Sequence, residues 1–237
     1  MEPNTDTDID ITGNVARLRV EIAEAAERGG RPPDEIRILA ATKLRNVGEI
    51  LRAVEAGIDL IGENTIQEAL GKFEFLPNPI EKHFIGHLQM NKARAAIRLF
   101  DMIHSIDRLE LAEELGRCAT RWGLEVPILI EVNPSPDPGR HGVTVEACPD
   151  LVAAISECPG LRITGLMTMP PYSEAEAEIR GHFRAVRACF EALAEQRIKN
   201  VEMRYLSMGI SHDFEIAIEE GANLVRIGTG IFGGRRY

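Results

Sequence analysis

The sequence is short of positive charge, of aromatic residues and of long apolar runs, and each shortage narrows the possibilities. Its 237 residues carry 27 lysines and arginines against 37 aspartates and glutamates, a net charge of −10. General nucleic-acid binding needs a basic surface that neutralises phosphates, and the sequence has no basic stripe. No apolar run approaches the roughly 20 residues of a membrane span. Aromatic residues make up only 5%, so we expect a core packed mainly by aliphatic side chains.

Cysteine is also scarce, and the sequence lacks the features of a secretion signal. The four cysteines are scattered without a CxxC pair, which predicts reduced thiols in a cytoplasmic protein. The opening segment, MEPNTDTDID, is acidic and polar, without the basic start and apolar stretch of a signal peptide. We therefore expect a disordered acidic segment at 1–10 and one domain at 11–237.

Strand and helix patterns alternate along the whole chain after an amphipathic helix at about 15–28. Apolar runs typical of buried strands are separated by helical patterns, and no linker or shift in composition divides them. Eight such runs are IRILAATK, DLIGEN, HFIGH, MIHSID, VPILIEVN, LRITGLMTM, MRYLSMG and LVRIGT. Alternating βα units indicate a parallel sheet, and eight of them favour a closed (β/α)8 TIM barrel with an extra N-terminal helix. An open doubly wound sheet is the alternative fold.

Two basic residues stand out on the first and last of these strands. Lys43 ends the first strand, and Arg226 interrupts the aliphatic run of the last. If Val225 and Ile227 face the helices, alternation points Arg226 into the barrel, near Lys43 on the neighbouring strand. A nearby guanidinium and partial burial would lower the pKa of the lysine. A neutral amine can attack an aldehyde and form a Schiff base, so Lys43 is a candidate for covalent chemistry.

A phosphate-binding pattern follows the last two strands. Gly228 and Gly230 allow the backbone to approach an anion closely, and Thr229 adds a hydroxyl. The stretch SMGIS ends the seventh strand, and we expect a helix to start at Ser211 with free amides. Because phosphates often bind after strands seven and eight of such barrels, these residues and Lys43 predict a site for a phosphorylated aldehyde.

These motifs resemble those of a known family. The matching stretches are ATK, IGENTIQE, HFIGHLQMNKARAAI, HSIDR, ITGLMTM and YLSMGISHDFEIAIEEGANLVRIGTGIFG, and they cover nearly the whole chain after about residue 35. The chain resembles the YggS/PROSC family of pyridoxal-phosphate-binding homeostasis proteins, whose fold is similar to the N-terminal barrel of alanine racemase.

The resemblance implies a cofactor and a set of residues that hold it. It implies pyridoxal 5′-phosphate (PLP) bound as a Schiff base to Lys43, with Arg226 near the pyridine nitrogen. The phosphate would lie around Ser211, Gly228 and Thr229. Further pocket residues implied by the family motifs are Asn64, Met208 and Gly209. The sequence departs from the usual family pattern at Lys82, His87 and the loop 133–143, which affects the rim of the pocket.

The function implied by the resemblance is PLP binding in intracellular vitamin B6 homeostasis, without efficient catalysis and with no residue assigned as catalytic. The partners expected are PLP and apo forms of PLP-dependent enzymes, and the chain is expected to be a monomer. A PLP-dependent amino-acid racemase is the alternative, but alanine racemase takes its opposite base from a second domain, and this chain ends just after the eighth strand. An arginine on the ring nitrogen would also leave that nitrogen unprotonated. A Schiff-base aldolase has the right fold but not these motifs.

Some residues have a structural interpretation beside the functional one. Arg226 could form an ion pair with Glu63 or Glu131 inside a barrel, and Asn64 could cap the following helix. His83 and His87, taken as two residues of one strand face, could suggest a metal site. Because the sequence offers no third ligand of matching placement, we expect them to pack or form hydrogen bonds, and we predict no metal.

Overall fold

The computed structural model describes residues 9–135, 137, 139–173 and 175–234, and in these residues strands and helices alternate as the sequence predicts. The strands are β1 Arg37–Ala41, β2 Leu60–Glu63, β3 Glu81–Phe84, β4 Met102–Ile106, β5 Val126–Asn133, β6 Val143–Thr144, β7 Leu161–Thr168, β8 Val201–Ile210 and β9 Leu224–Ile227. The α-helices are α1 Ile11–Arg28, α2 Val47–Glu55, α3 Ile66–Lys72, α4 Ala93–Leu99, α5 Leu109–Arg121, α6 Cys148–Ser156, α7 Glu176–Glu195, α8 Phe214–Glu219 and α9 Thr229–Phe232.

The sheet closes on itself. Its strand order is β4-β3-β2-β1-β9-β8-β7-β5-β6. A further pairing of β4 with β5 joins the two ends of this order into a ring. Eight strands therefore form a parallel barrel, which confirms the predicted fold, and the open-sheet alternative is wrong. The two-residue strand β6 was not predicted; it pairs with the end of β5 through Val132 and Val143, outside the barrel.

The alternation of side chains on the strands divides the core into two parts. One cluster lies inside the barrel and is made of Leu39, Leu60, Met102, Leu129, Met167, Tyr205 and Leu224, with Ile85 packed against it. A much larger aliphatic cluster fills the space between the strands and the surrounding helices. Strands buried on both faces explain why the sequence shows near-continuous apolar runs instead of an alternating pattern.

The N-terminal helix starts earlier than the sequence indicates. Asp10 is its N-cap, and the Asp10 side chain accepts a hydrogen bond from the Gly13 amide at 2.8 Å. Residues 1–8 lie outside the described residues, so the division into a tail at 1–10 and a domain at 11–237 stays a prediction. All four cysteines are free. Within the described part of the chain, no helix has both the length and the apolar character required to cross a bilayer.

Candidate functional site

Arg226 lies inside the barrel, as the alternation on β9 predicts. Its neighbours Val225 and Ile227 belong to the outer cluster, whereas Arg226 is buried and turned inward. One guanidinium nitrogen donates to the carbonyl and the hydroxyl of Ser207, at 2.7 and 2.6 Å. The other donates to the Thr168 carbonyl at 2.7 Å. The arginine is therefore held in one orientation by oxygens of β7 and β8.

The ion pairs considered for Arg226 are not what holds it. Its hydrogen bonds go to neutral oxygens, while Glu131 and Asp213 act on it through space. Glu63 faces the outer layer, where it binds Lys72. Burial lowers the pKa of Arg226 to about 10, and the two carboxylates oppose that shift. A pKa of about 10 still leaves the guanidinium protonated at neutral pH.

A chain of hydrogen bonds runs from Arg226 through the barrel interior. Ser207 Oγ lies 3.3 Å from His104 Nδ1, His104 Nε2 lies 2.8 Å from His83 Nδ1, and His83 Nε2 lies 2.7 Å from Glu81 Oε1. Burial lowers the pKa of both histidines, so both are neutral. Because a guanidinium can only donate, Ser207 must donate onward, and each histidine then carries its proton on Nε2.

This chain has one direction, from a cation that only donates to a carboxylate that only accepts. Hydrogen bonding to His83 is the main reason that the pKa of Glu81 falls to about 2. The predicted hydrogen-bonding role of His83 is therefore confirmed. Sequence analysis missed His104 and Ser207; the signal available was their place in strands that otherwise carry apolar residues.

Two backbone amides converge on one oxygen where β9 ends. The Gly228 and Gly230 amides donate to Ser211 Oγ at 3.3 and 3.1 Å. A Cβ on Gly230 would stand 2.9 Å from Ile227 Cγ2 at the end of β9, whereas Ser211 Oγ, at 3.7 Å, would be in ordinary contact with it. Converging amides are a common way to hold an anion. The donors around Ser211 thus fit a phosphate group.

The helix expected at Ser211 begins later. The first residue of α8 is Phe214, so Ser211 lies in the preceding turn and contributes its hydroxyl and not a helix terminus. Thr229 is the exposed first residue of α9, and Gly228 is its N-cap.

Met208 and Gly209, on β8, have different surroundings. The Met208 side chain is fully buried in the outer cluster, so only its backbone faces the barrel, and its place in the pocket stays a prediction. The reason is strand alternation, because Tyr205 and Ser207 already take the inner face. Gly209 has φ +92°, and a Cβ there would stand 2.6 Å from Ala217 Cβ. This glycine allows α8 to pack closely on the strand end.

Lys43 lies two residues beyond β1, and its side chain is exposed. The partial burial expected from the sequence is therefore wrong. Leu39 is the residue that pairs with Arg226. Four residues of extended chain span about 13 Å, so Lys43 is placed nearer the mouth of the barrel than Arg226, and not beside it.

Both peptide groups that flank Lys43 are held by α3. Lys72 Nζ donates to the Thr42 carbonyl at 2.9 Å, and the Leu44 amide donates to Glu68 Oε2 at 2.8 Å. Lys72 also bridges Glu68 at 2.7 Å and the fully buried Glu63 at 2.6 Å. Leu44 has φ +60°, a backbone conformation that is uncommon for a branched residue. The hydrogen bonds from Lys72 and to Glu68 stabilise this conformation. The loop that carries Lys43 is thus held from both sides.

We predict that PLP reacts with Lys43 and that Glu68→Ala slows this reaction about 3- to 10-fold. The change removes the acceptor for the Leu44 amide and one ion-pair partner of Lys72. Because Glu68 is partly exposed, solvent reduces the free energy that these two contacts contribute. The measurement is the rate of covalent PLP incorporation, followed by absorbance. Gln67→Ala, on an exposed position of the same helix, is the matched control. Equal rates in the two variants would mean that the hydrogen bond from the Leu44 amide to Glu68 does not position Lys43.

Asn64 follows β2 and is half-buried. The alternative that it caps the next helix is wrong, because the N-cap of α3 is Thr65, whose side chain accepts from the Glu68 amide. Alternation from Leu60, inside the barrel, places Asn64 on the inner face. A Cβ on Gly86 would stand 2.1 Å from the Asn64 carbonyl oxygen, so the strand ends approach closely here. The pocket role of Asn64 stays a prediction.

Glu131 is a further buried acid on the inner face of β5. Burial, together with the nearby Asp107, raises the pKa of Glu131 to about 7 against the attraction of Arg226 and Arg140. A carboxyl with this pKa exchanges its proton near neutral pH. Arg140 also ties the rim together, since it donates to the carbonyls of Met169 at 2.7 Å and Pro170 at 3.2 Å.

The two histidines of HFIGH do not share a strand face. β3 ends at Phe84, so His83 lies in the barrel while His87 lies in the loop that follows and is exposed. The expectation that His83 and His87 share one strand face is wrong, because β3 ends before His87.

The chain is similar to known proteins over nearly its whole length. The family model described as alanine racemase, N-terminal domain, matches residues 14–236. The pyridoxal phosphate homeostasis protein of Aquifex aeolicus is 41% identical over 94% of this chain and 97% of its own length. That of Escherichia coli K12 is 38% identical over 96% of this chain and 98% of its own length. The structure of PipY of Synechococcus elongatus with PLP bound is 32% identical, covers 94% of this chain and 100% of its own, and has a TM-score of 0.82.

Proposed function

Because this chain belongs to the pyridoxal phosphate homeostasis proteins, built on the alanine racemase N-terminal domain, we propose that it binds PLP reversibly and serves in vitamin B6 homeostasis. The observation that carries the proposal is the convergence of two backbone amides on Ser211 Oγ at the end of a strand that also carries a buried arginine. The nearly complete coverage of the curated relatives supports the same role for the whole chain.

PLP supplies an aldehyde carbon that an amine can attack, and a phosphate that hydrogen-bond donors can hold. Lys43 supplies the amine from the exposed loop after β1, and its flanking peptide groups are held by α3. Ser211, Thr229 and the amides of Gly228 and Gly230 supply the donors for the phosphate. An exposed lysine at the mouth can be reached from solvent, which suits a protein that takes up and releases its ligand.

Arg226 is assigned to the pyridine nitrogen. Its hydrogen bonds to Ser207 and Thr168 fix its orientation, and the histidine chain behind Ser207 fixes that hydroxyl. With a pKa of about 10, Arg226 keeps its proton at neutral pH. Arg226 would keep a ring nitrogen placed against it unprotonated, and so would limit the electron density that the ring withdraws from a bound amino acid.

A PLP-dependent amino-acid racemase is the second candidate. The observation in its favour is Glu131, a buried carboxyl with a pKa of about 7 on the inner face of β5. Racemisation needs an acid or base on each face of the substrate. Glu131 lies on β5 and Lys43 follows β1, and these strands are not neighbours in the barrel. The protonated Arg226 argues against efficient turnover, so the carrier function is preferred.

We predict that the PLP-loaded protein transfers PLP to an apo-enzyme but turns over no L-amino acid at about 1 per second or faster. Transfer is measured as recovered activity of a PLP-dependent apo-enzyme. Turnover is measured as change in chiral composition and as formation of keto acid or amine. The physical reason is that Arg226 limits stabilisation of the negative charge that develops on the α-carbon.

Glu131→Gln separates the two candidates. If slow racemisation occurs and this variant abolishes it while transfer continues, Glu131 is a base and the activity is a side reaction. Multiple turnovers at ordinary enzyme rates, with no transfer to the apo-enzyme, would overturn the carrier proposal in favour of the racemase.

A further inference from the structure

Three metal-ligating side chains meet at the mouth of the barrel, on loops that follow three successive strands. His87 follows β3, Asp107 follows β4, and His141 lies in the loop after β5. One ligand atom from each lies within 4.8 Å of the others. The two imidazole rings are stacked, with centroids 3.9 Å apart and an interplanar angle of 17°.

Packing in the core does not explain this convergence. Both histidines are exposed, so neither is needed to fill space between the strands and helices. Asp107 is half-buried and is held by the neighbouring Arg108, which contacts one of its two carboxylate oxygens at 2.5 Å. The Arg108 guanidinium also lies 3.4 Å from the Leu88 carbonyl, which fixes the pair on the barrel rim.

Both acidic and basic residues surround the cluster. Asp107 and Glu131 lie close enough to influence each other, and Arg108 and Arg140 are the basic residues beside them. Arg226 also acts on Glu131 from within the barrel, so the cations outnumber the acids and the ion must be held by its bonds to the three ligand atoms.

We propose that His87, Asp107 and His141 bind a divalent transition-metal ion of the zinc class. Two imidazole nitrogens with one carboxylate oxygen form a donor set that suits zinc, and imidazole ligands disfavour magnesium and calcium. Zinc bonds of about 2.0–2.2 Å place the ligand atoms of a tetrahedral site about 3.3 Å apart. Rotation of exposed side chains is enough to close the present separation.

Metal binding also makes a structural demand. The lone pairs of both imidazoles lie in their ring planes, so parallel stacked rings cannot aim at one ion. The rings must tilt out of the stack when the ion binds. Three protein ligands leave a fourth position for water or another exchangeable ligand.

This site lies at the rim of the barrel mouth, across from the phosphate donors of the proposed PLP site. Its loops follow β3, β4 and β5, whereas Ser211, Gly228 and Gly230 follow β8 and β9 on the opposite side of the barrel. Because PLP itself binds metal ions, metal binding is tested in full-length, tag-free protein from which PLP has been removed. Failure of this test leaves the PLP proposal unaffected, and success does not depend on it.

The experiment is titration of Zn²⁺ into chelator-treated protein, followed by calorimetry, with Co²⁺ absorbance as a report on ligand geometry. We expect one site per chain, weakened about tenfold or more by His87→Gln, Asp107→Asn or His141→Gln. Matched controls are His212→Gln and His182→Gln, since each of these histidines also lies near an acid. Cys118→Ser controls for the partly exposed thiol.

A second measurement reads the ligands directly. In nitrogen-15 spectra of the imidazoles, Zn²⁺ should shift the signals of His87 and His141 and leave those of the buried His83 and His104 in place. Unchanged affinity in the three ligand variants, or loss of the site in a control variant, would overturn the proposal. So would ring signals of His87 and His141 that do not respond to Zn²⁺.

Discussion

Borohydride reduction of the PLP-loaded protein is expected to attach the pyridoxyl group to Lys43 and to leave the other four lysines of the sequence unlabelled. Lys43 is exposed at the carboxyl end of β1, and the peptide groups on both sides of it are held. Barrel enzymes carry their reactive residues at this end of the strands. Peptide mass mapping after reduction measures the position of the label.

The other lysines have physical reasons not to react. Lys72 uses its ammonium in bonds to Glu63, Glu68 and the Thr42 carbonyl. The Lys82 ammonium lies over the Phe73 ring, on the outer side of the sheet. We therefore expect Lys43→Ala to reduce covalent labelling to background.

Weak PLP binding should survive in Lys43→Ala, because the phosphate donors remain. Lys82→Ala is the matched control and should label like the unchanged protein. A label on Lys72, Lys82, Lys92 or Lys199 in the unchanged protein would disprove the assignment of Lys43.

Replacing both Ser211 and Thr229 by alanine is expected to weaken PLP binding strongly. Each hydroxyl can donate a charge-assisted bond to the phosphate, worth about 1.5–3 kcal/mol, which corresponds to roughly 10- to 100-fold in affinity for each residue. In the structure, Ser211 Oγ is the oxygen on which the Gly228 and Gly230 amides converge. Its loss removes one donor and leaves the two amides in place.

The measurement compares PLP with pyridoxal, which lacks the phosphate. We expect a large loss of affinity for PLP and little change for pyridoxal. Thr120→Ala, at an exposed position of α5, is the matched control for removal of a hydroxyl. Equal losses for the two ligands would show that Ser211 and Thr229 act through folding and not through the phosphate.

Much of the fold could be predicted because its cause is local. The apolar runs and the helical patterns between them depend on residues close in the chain, and they predicted the eight barrel strands and their parallel arrangement. The boundaries were less accurate: α1 starts at Ile11 and α8 at Phe214. The short β6 was missed because a two-residue strand leaves no periodic pattern.

The candidate site was predictable where strand alternation or glycine chemistry decides it. Arg226 faces inward because its neighbours on β9 are aliphatic, and the amides of Gly228 and Gly230 donate to Ser211. The same rule places the Met208 side chain on the outer face of β8. The exposure of Lys43 was not predictable, because it depends on how the loop after β1 lies on α3.

The sequence by itself determined the eight alternating strand and helix segments, the inward arginine on the last strand and the amides that follow that strand, since each depends on neighbours within a few residues. The tertiary structure alone decided the long-range contacts. His104 and Ser207 are 103 positions apart in the chain, yet they join one hydrogen-bonded path to Arg226. His87, Asp107 and His141 likewise meet only at the mouth of the barrel. Closure of the barrel creates these contacts by bringing strand ends from distant parts of the chain to one rim, and no local pattern records that.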